Sequence, residues 1–266
     1  MYKSLTFTKM RNPSTTLRPT MFQCMVTCEE DSFPTNLRRM HANACTHSDV
    51  IDIKARAPGS LGQDVCMDEP TWKIGSLSLR LRLKSRDTSV FVFESGKIKI
   101  SGGSVGHSLP YNTWLDSDIV QPVMEILFLL NGGARTNRFS WNLCLLNGSL
   151  TLEPSTVNVA TYKKLCQFLL SNVNAHPFFV SATMPACYDV NGGVRRGRVC
   201  SIALKFAPKT VQGKKITHAS KTTYSTIRFD QGGRVQLFAS KSVEELQTAS
   251  EQLVKWISQF NSENYI

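Results

Sequence analysis

A chain of 266 residues, 41% of them hydrophobic, is long enough for one large core or two ordinary ones. Its 31 lysines and arginines outnumber its 20 aspartates and glutamates, and the resulting charge of +11 suits a polyanionic partner. The longest apolar run, VMEILFLL, is far too short to cross a bilayer, and eight cysteines without a CxxC pair read as reduced thiols of an intracellular protein.

In chain order, residues 1–18 form a basic arm that lacks the apolar segment of a secretory signal. A strand, TMFQCMVTC, precedes a helix-like FPTNLRRMHANA, the strands SDVIDIKA and IGSLSLRLRLK, a hairpin VFVFESGKIKISGG, and a helix within WLDSDIVQPVMEILFLLNGG that Pro122 should delay or kink. After Gly132 and Gly133 the order begins again. FSWNLCLL, VATYKKLCQFLLSN, PFFVSATM, RVCSIALKF and YSTIRFDQGGRVQLFAS lead to a closing helix, SVEELQTASEQLVKWISQF. The chain thus reads as two β-α-β-β-β-β-α repeats, 19–133 and 134–266, with loops or insertions at 55–73 and 185–222. Ser242 and Glu245 form a capping-box pattern, and Val243, Leu246, Ala249, Leu253, Trp256, Ile257 and Phe260 follow at helical spacing.

Side chains two apart on a strand share a face. In the first hairpin Val90, Val92, Ile98 and Ile100 form a core set, and Phe91, Phe93, Lys97, Lys99 and Ser101 form the other. Phenylalanine and lysine side by side suit a ligand that is both apolar and anionic, as a nucleic acid is. One strand earlier, Leu77, Leu79, Leu81 and Leu83 oppose Ser76, Ser78, Arg80, Arg82 and Lys84. In the second half Cys200, Ile202, Leu204 and Phe206 oppose a small, barely charged set: Val199, Ser201, Ala203 and Lys205. Taken alone, the hairpin is equally explained by a loosely covered aromatic and IGSLSLRLRLK is more commonly a solvated basic face, whereas the small, dry face of the second half is less easily explained by solvation.

FQCMVTC, LRRMHANA, VFVFESGKIKISGG, SWNLCLL and STIRFDQGGRVQLFASKSVEELQTASEQL together resemble the TATA-box-binding protein (TBP) family. Its Phe-x-Ser-Gly-Lys turn is similar to Phe93–Lys97, and its first-helix pattern to Arg39–Ala44. The resemblance implies an α+β saddle: two pseudo-repeats forming one curved antiparallel sheet that sits on the DNA minor groove, with helices on the convex face. It implies DNA contacts by Gln23, Met25 and Thr27, by Asn142 and Cys144 in the second half, and by Val199, Ser201, Lys97, Lys99, Ser101, Arg234 and Gln236. Arg80, Arg82 and Lys84 would neutralise phosphates, and Phe91 and Phe93 would supply the wedge. Phe229 would be the counterpart of Phe93, across a DQGGR turn that looks one residue longer.

There are departures from the family pattern. The partner wedge phenylalanine of each repeat has no counterpart at Ile74, Ser76 or Leu77, nor near RRGRV, and Lys99 and Gln236 stand where the family keeps valine. The implied protein binds double-stranded DNA in transcription initiation, without cofactor or catalysis and away from membranes. Its partners would be general transcription factors such as a transcription factor IIB-like protein and the RNA polymerase machinery. Its divergence fits a viral or otherwise remote member, in the nucleus or a viral replication compartment.

Two other classes compete. Cys24-x3-Cys28-x12-His41-x3-Cys45 has the spacing of a zinc finger. A protein-interaction scaffold that kept the fold and lost DNA binding is the second. An enzyme is disfavoured: there is no P-loop and no G-x-S-x-G, and the glycine-rich SGGSVG and NGGVRRG read as turns.

Overall fold

The computed structural model describes residues 17–28, 36–59, 64, 73–84, 86–103, 111–133, 139–151, 159–176, 179–183, 201–206, 225–230 and 233–263. The chain divides into two compact units, Met21–Cys144 (the first) and Met1–Thr20 with Leu145–Ile266 (the second).

The first unit runs through most of β1 (Arg18–Cys28), then α1 (Leu37–Ala44), β2 (Val50–Arg56), β3 (Ser76–Arg82), β4 (Asp87–Phe93) and β5 (Ile98–Gly103). A helical segment follows: α2 (Tyr111–Leu115), a π turn (Asp116–Val120) and α3 (Gln121–Leu130). The strands pair antiparallel in the order β2-β3-β4-β5-β1. One side is a closed core, in which Phe22, Cys24, Val26, Leu77, Leu79, Leu81, Val90, Val92, Ile98 and Ile100 are buried along with Trp114, Leu115, Ile119, Val123 and Leu127 of the helices. Burying each large apolar side chain contributes about 1.5–3 kcal/mol. Trp114 meets Phe22 edge-on with centroids 5.9 Å apart.

The helix around Pro122 starts at Tyr111, well before the proline, and is not broken by it. Proline cannot donate to the ladder and crowds the carbonyl four residues back; the wider π turn opens the ladder immediately before it. The helix then ends in a Schellman motif. Gly132 takes a φ of 72°, its N–H bonds to Leu129 C=O, and the N–H of Gly133 bonds to Phe128 C=O. Helix α1 is tied to this end: Asn43 Nδ2 donates to Leu130 C=O at 2.7 Å, and Arg39 Nη2 donates to Gly132 C=O at 3.5 Å.

The second unit contains most of β6 (Phe139–Thr151), then α4 (Val159–Ala175), β7 (Phe179–Thr183), β8 (Ser201–Phe206), β9 (Ser225–Asp230), β10 (Arg234–Ser240) and α5 (Val243–Glu263). Its strand order is β6-β10-β9-β8-β7. Ile202, Leu204, Phe206, Ile227, Phe229, Val235 and Leu237 are buried, as are Tyr162, Leu165, Leu169, Leu246, Leu253, Trp256 and Ile257. The cap of α5 forms as its sequence predicts. Glu245 N–H donates to Ser242 Oγ at 3.1 Å, although the Glu245 carboxylate reaches back one residue further, to Lys241 N–H at 3.0 Å. Of its apolar stripe, only Val243 stays half-exposed.

A bulge interrupts β10. Leu237 pairs with Gly148 but Ser240 with Leu146, and Ala239 takes a φ of 61° with its N–H bonded to Asn147 Oδ1 at 3.0 Å. A Cβ on Gly148 would lie 2.6 Å from Leu246 Cδ2, so a larger residue there needs the Leu246 side chain to move.

The hydroxyl of Tyr162 is the polar pin of this core. It accepts from Ile202 N–H at 3.0 Å and donates to Phe229 C=O at 2.6 Å. Tyr162→Phe removes that oxygen and keeps the ring, so stability should fall by about 1–3 kcal/mol for each buried group left unpaired. Urea denaturation monitored by tryptophan fluorescence reads the loss; an unchanged midpoint would show that the two backbone groups find other partners.

Candidate nucleic-acid interface

Once the even-numbered positions of β4 and β5 and the odd-numbered positions of β3 are committed to the core, the opposite face of the first unit is fixed by register. Three rows of side chains cross it. Asp52, Arg80, Ser89, Ser101 and Gln23 make one, and Lys54, Ser78, Phe91, Lys99 and Met25 the next. Arg56, Ser76 and Phe93 make the third, which Lys97 completes through the bond from Phe93 N–H to Lys97 C=O. The face is basic and aromatic together. Arg56 and Lys99 stand over the Phe91 ring, 5.5 and 5.9 Å from its centroid. Arg80 pairs with Asp87 at 2.9 Å, so part of its charge is met within the sheet.

Sequence reasoning places Gln23, Met25, Thr27, Ser101, Lys97, Lys99, Phe91, Phe93, Arg80 and Arg82 on one side, and the structure brings them to this face, with Lys84 exposed just beyond β3. It missed Lys54 and Arg56, although the alternation Asp52, Lys54, Arg56 within VIDIKAR marks them.

The second unit requires corrections. Five residues, 93–97, separate the paired Val92 and Ile98, and five, 230–234, separate the paired Phe229 and Val235. The two loops are therefore equal in length, and DQGGR is not the longer turn. Gly96 (φ 78°) and Gly233 (φ 80°) each donate N–H to the carbonyl three residues back, that of Phe93 and of Asp230. The counterpart of Phe93 is Asp230. Phe229 corresponds to Val92 and is only 1% exposed, packed edge-on against Tyr162, so it is a core residue and no wedge.

Asn142 and Cys144 also shift. Ser149 pairs with Gln236 as Met25 pairs with Lys99, which makes Asn147 and Ser149 the counterparts of Gln23 and Met25. Asn142 and Cys144 are exposed, with Cys144 Sγ 3.7 Å from Asn142 Oδ1, but they lie in the stretch of β6 grouped with the first unit. Along β6 the exposed side switches between Cys144 and Asn147, since Leu146, Gly148 and Leu150 are all buried.

On the open face of the second unit Ser149, Gln236, Arg228, Ala203 and Thr183 form a row, with Arg234, Asp230 and Ser201 beside it. Arg228 lies over the Phe238 ring at 5.4 Å. Ser201, Arg228, Asp230, Arg234 and Gln236 line a cleft of about 330 Å³. Val199 and the NGGVRRG stretch lie outside the described residues.

The zinc-finger spacing does not assemble. His41 Nδ1 and Cys45 Sγ are 3.8 Å apart on α1, but Cys24 faces the core of the sheet. Among the described residues no three His, Cys, Asp or Glu side chains are grouped to hold a metal. Burial, helped by the neighbouring Cys144, pushes the Cys24 thiol up to about 12, and burial pushes Cys28 and Cys166 up to about 11. No helix among the described residues is long and apolar enough to cross a membrane.

No family model and no curated protein matches the chain. Among solved structures, the Methanococcus jannaschii TBP aligns with 91% of this chain and 98% of its own, at 10% identity and a TM-score of 0.45.

The thiol placements make a testable pattern. Brief iodoacetamide treatment near neutral pH, with peptide mapping, should label the exposed Cys45 and Cys144 and spare Cys24 and Cys166 until the chain is unfolded. Rapid labelling of Cys24 in the folded protein would mean that β1 does not turn this residue inward.

Proposed function

We propose that the protein binds double-stranded DNA along the open sheet faces, entering the minor groove as a TBP-like saddle, and acts in transcription initiation. Its partners in this reading are general transcription factors, among them one like transcription factor IIB, and the RNA polymerase machinery. The observation that carries the proposal is the first unit's open face, where half-exposed Phe91 and Phe93 share rows with Arg56, Lys97 and Lys99. A core has no use for these cations, and a solvated face has none for the rings. Duplex DNA uses both, because phosphates exchange counterions for lysine and arginine while an apolar ring enters between unstacked bases. A protein-interaction role without DNA is the second reading. It is favoured by Asp230, which replaces an apolar side chain at the tip of the second hairpin.

Fluorescence anisotropy of a labelled duplex between about 50 and 200 mM salt tests the first reading: affinity should fall steeply. Lys97→Ala with Lys99→Ala should reduce the logarithmic salt slope by about two, one for each lost phosphate contact. A protein that retains no duplex at low salt would overturn the proposal in favour of the scaffold.

Phe93→Ala separates wedge from anchor. The ring is not part of the core, so melting temperature should hardly move. Bending, read by end-to-end energy transfer on a doubly labelled duplex, should decline more than affinity does. Unchanged bending would remove Phe93 from the wedge role.

A further inference from the structure

We propose that the second unit reads a base pair carrying an amino group in the minor groove, a G·C pair, through the carboxylate of Asp230. This rests on the reading that DNA lies along the open faces, and it adds a specificity that the first unit does not have. By register Asp230 stands where the first unit has Phe93, Arg234 where it has Lys97, Gln236 where it has Lys99, and Arg228 where it has Phe91. At the position where one hairpin offers a ring, the other opens a polar cleft of about 330 Å³.

The carboxylate is held for use. Its side chain is only 14% exposed, Oδ1 accepts from Arg234 N–H and Oδ2 from Arg234 Nε, both at 3.0 Å. Each oxygen keeps a second lone pair. The pairing with Arg234 also offsets the charge that would otherwise repel the phosphates flanking the groove. In the minor groove an A·T pair presents acceptors only, whereas a G·C pair adds the guanine N2 amino donor. A carboxylate set against adenine N3 or thymine O2 faces acceptor with acceptor; against guanine N2 it gains a charge-assisted hydrogen bond. A phenylalanine makes no such distinction.

The test starts from a duplex selected from a random pool by the wild-type protein, in which each guanine is replaced singly by inosine, which lacks only the amino group. One position should lose affinity about tenfold. Placing A·T there should cost as much, and 2,6-diaminopurine opposite thymine, which restores the amino group, should recover the affinity in the wild-type protein without any mutation. Asp230→Asn keeps an oxygen for Arg234 N–H, and with it the turn, but presents an amide donor; its affinity should be the same for guanine and inosine within twofold. Duplex binding with no inosine-sensitive position, or a sensitivity that survives Asp230→Asn, overturns this inference and leaves DNA binding standing. Failure of the wild-type protein to retain any duplex overturns both.

Discussion

Burial of one whole sheet face under helices in each unit decides what the other face can be. Leu77, Leu79 and Leu81 on β3 and Val90 and Val92 on β4 are all but inaccessible to water, so their neighbours at alternate positions are committed to the far side. Helices on one side meet the apolar requirement of folding. The far side is then released from it and can carry arginine, lysine, serine and phenylalanine together. Charge on that face costs little in stability, because the strands are held from behind.

Within that shared plan the two open faces have diverged chemically. The first combines cations with rings in ranks, with Arg56 and Lys99 both over the Phe91 ring. The second is shorter in side chain and more polar, with Ala203, Ser149 and Thr183 around Arg228 and Gln236, and its hairpin tip carries an ion pair. An ordered chain of identical elements therefore does not imply two equal surfaces. The Asp230–Arg234 pair spends one cation on a neighbour, as the Arg80–Asp87 pair does in the first unit, so formal charge overstates what each face presents to a polyanion.

Much of this was legible in the chain, and the errors have identifiable causes. The alternation in VFVFESGKIKISGG assigned both faces of the first hairpin, since one side is purely aliphatic. Phe229 is misassigned by sequence because DQGGR contains two glycines, and the sequence does not say which of them matches Gly96. Had Gly233, followed by the basic Arg234, been aligned with Gly96 and Lys97, the loops would have matched and Asp230 would have fallen beside Phe93. The switch of exposed side in β6 has no local signature, because Asn142, Leu143, Cys144 and Leu145 alternate as any half-buried strand does. Pro122 is a weak breaker here because a π turn absorbs it, a backbone adjustment that side-chain pattern does not encode.

The bulge at Ala239 bears on how strand register is held. A hairpin with period-two alternation and a short loop can pair one residue out of step, which would turn Arg234 and Gln236 inward. The extra residue of β10 lies against β6, where Asn147 caps the Ala239 N–H. A pairing of β10 with β6 shifted by one residue would part the Ala239 N–H from Asn147 Oδ1. The bulge thus gives the β10–β6 pairing a side-chain-to-backbone contact that holds in the native register alone, independent of which face each side chain takes.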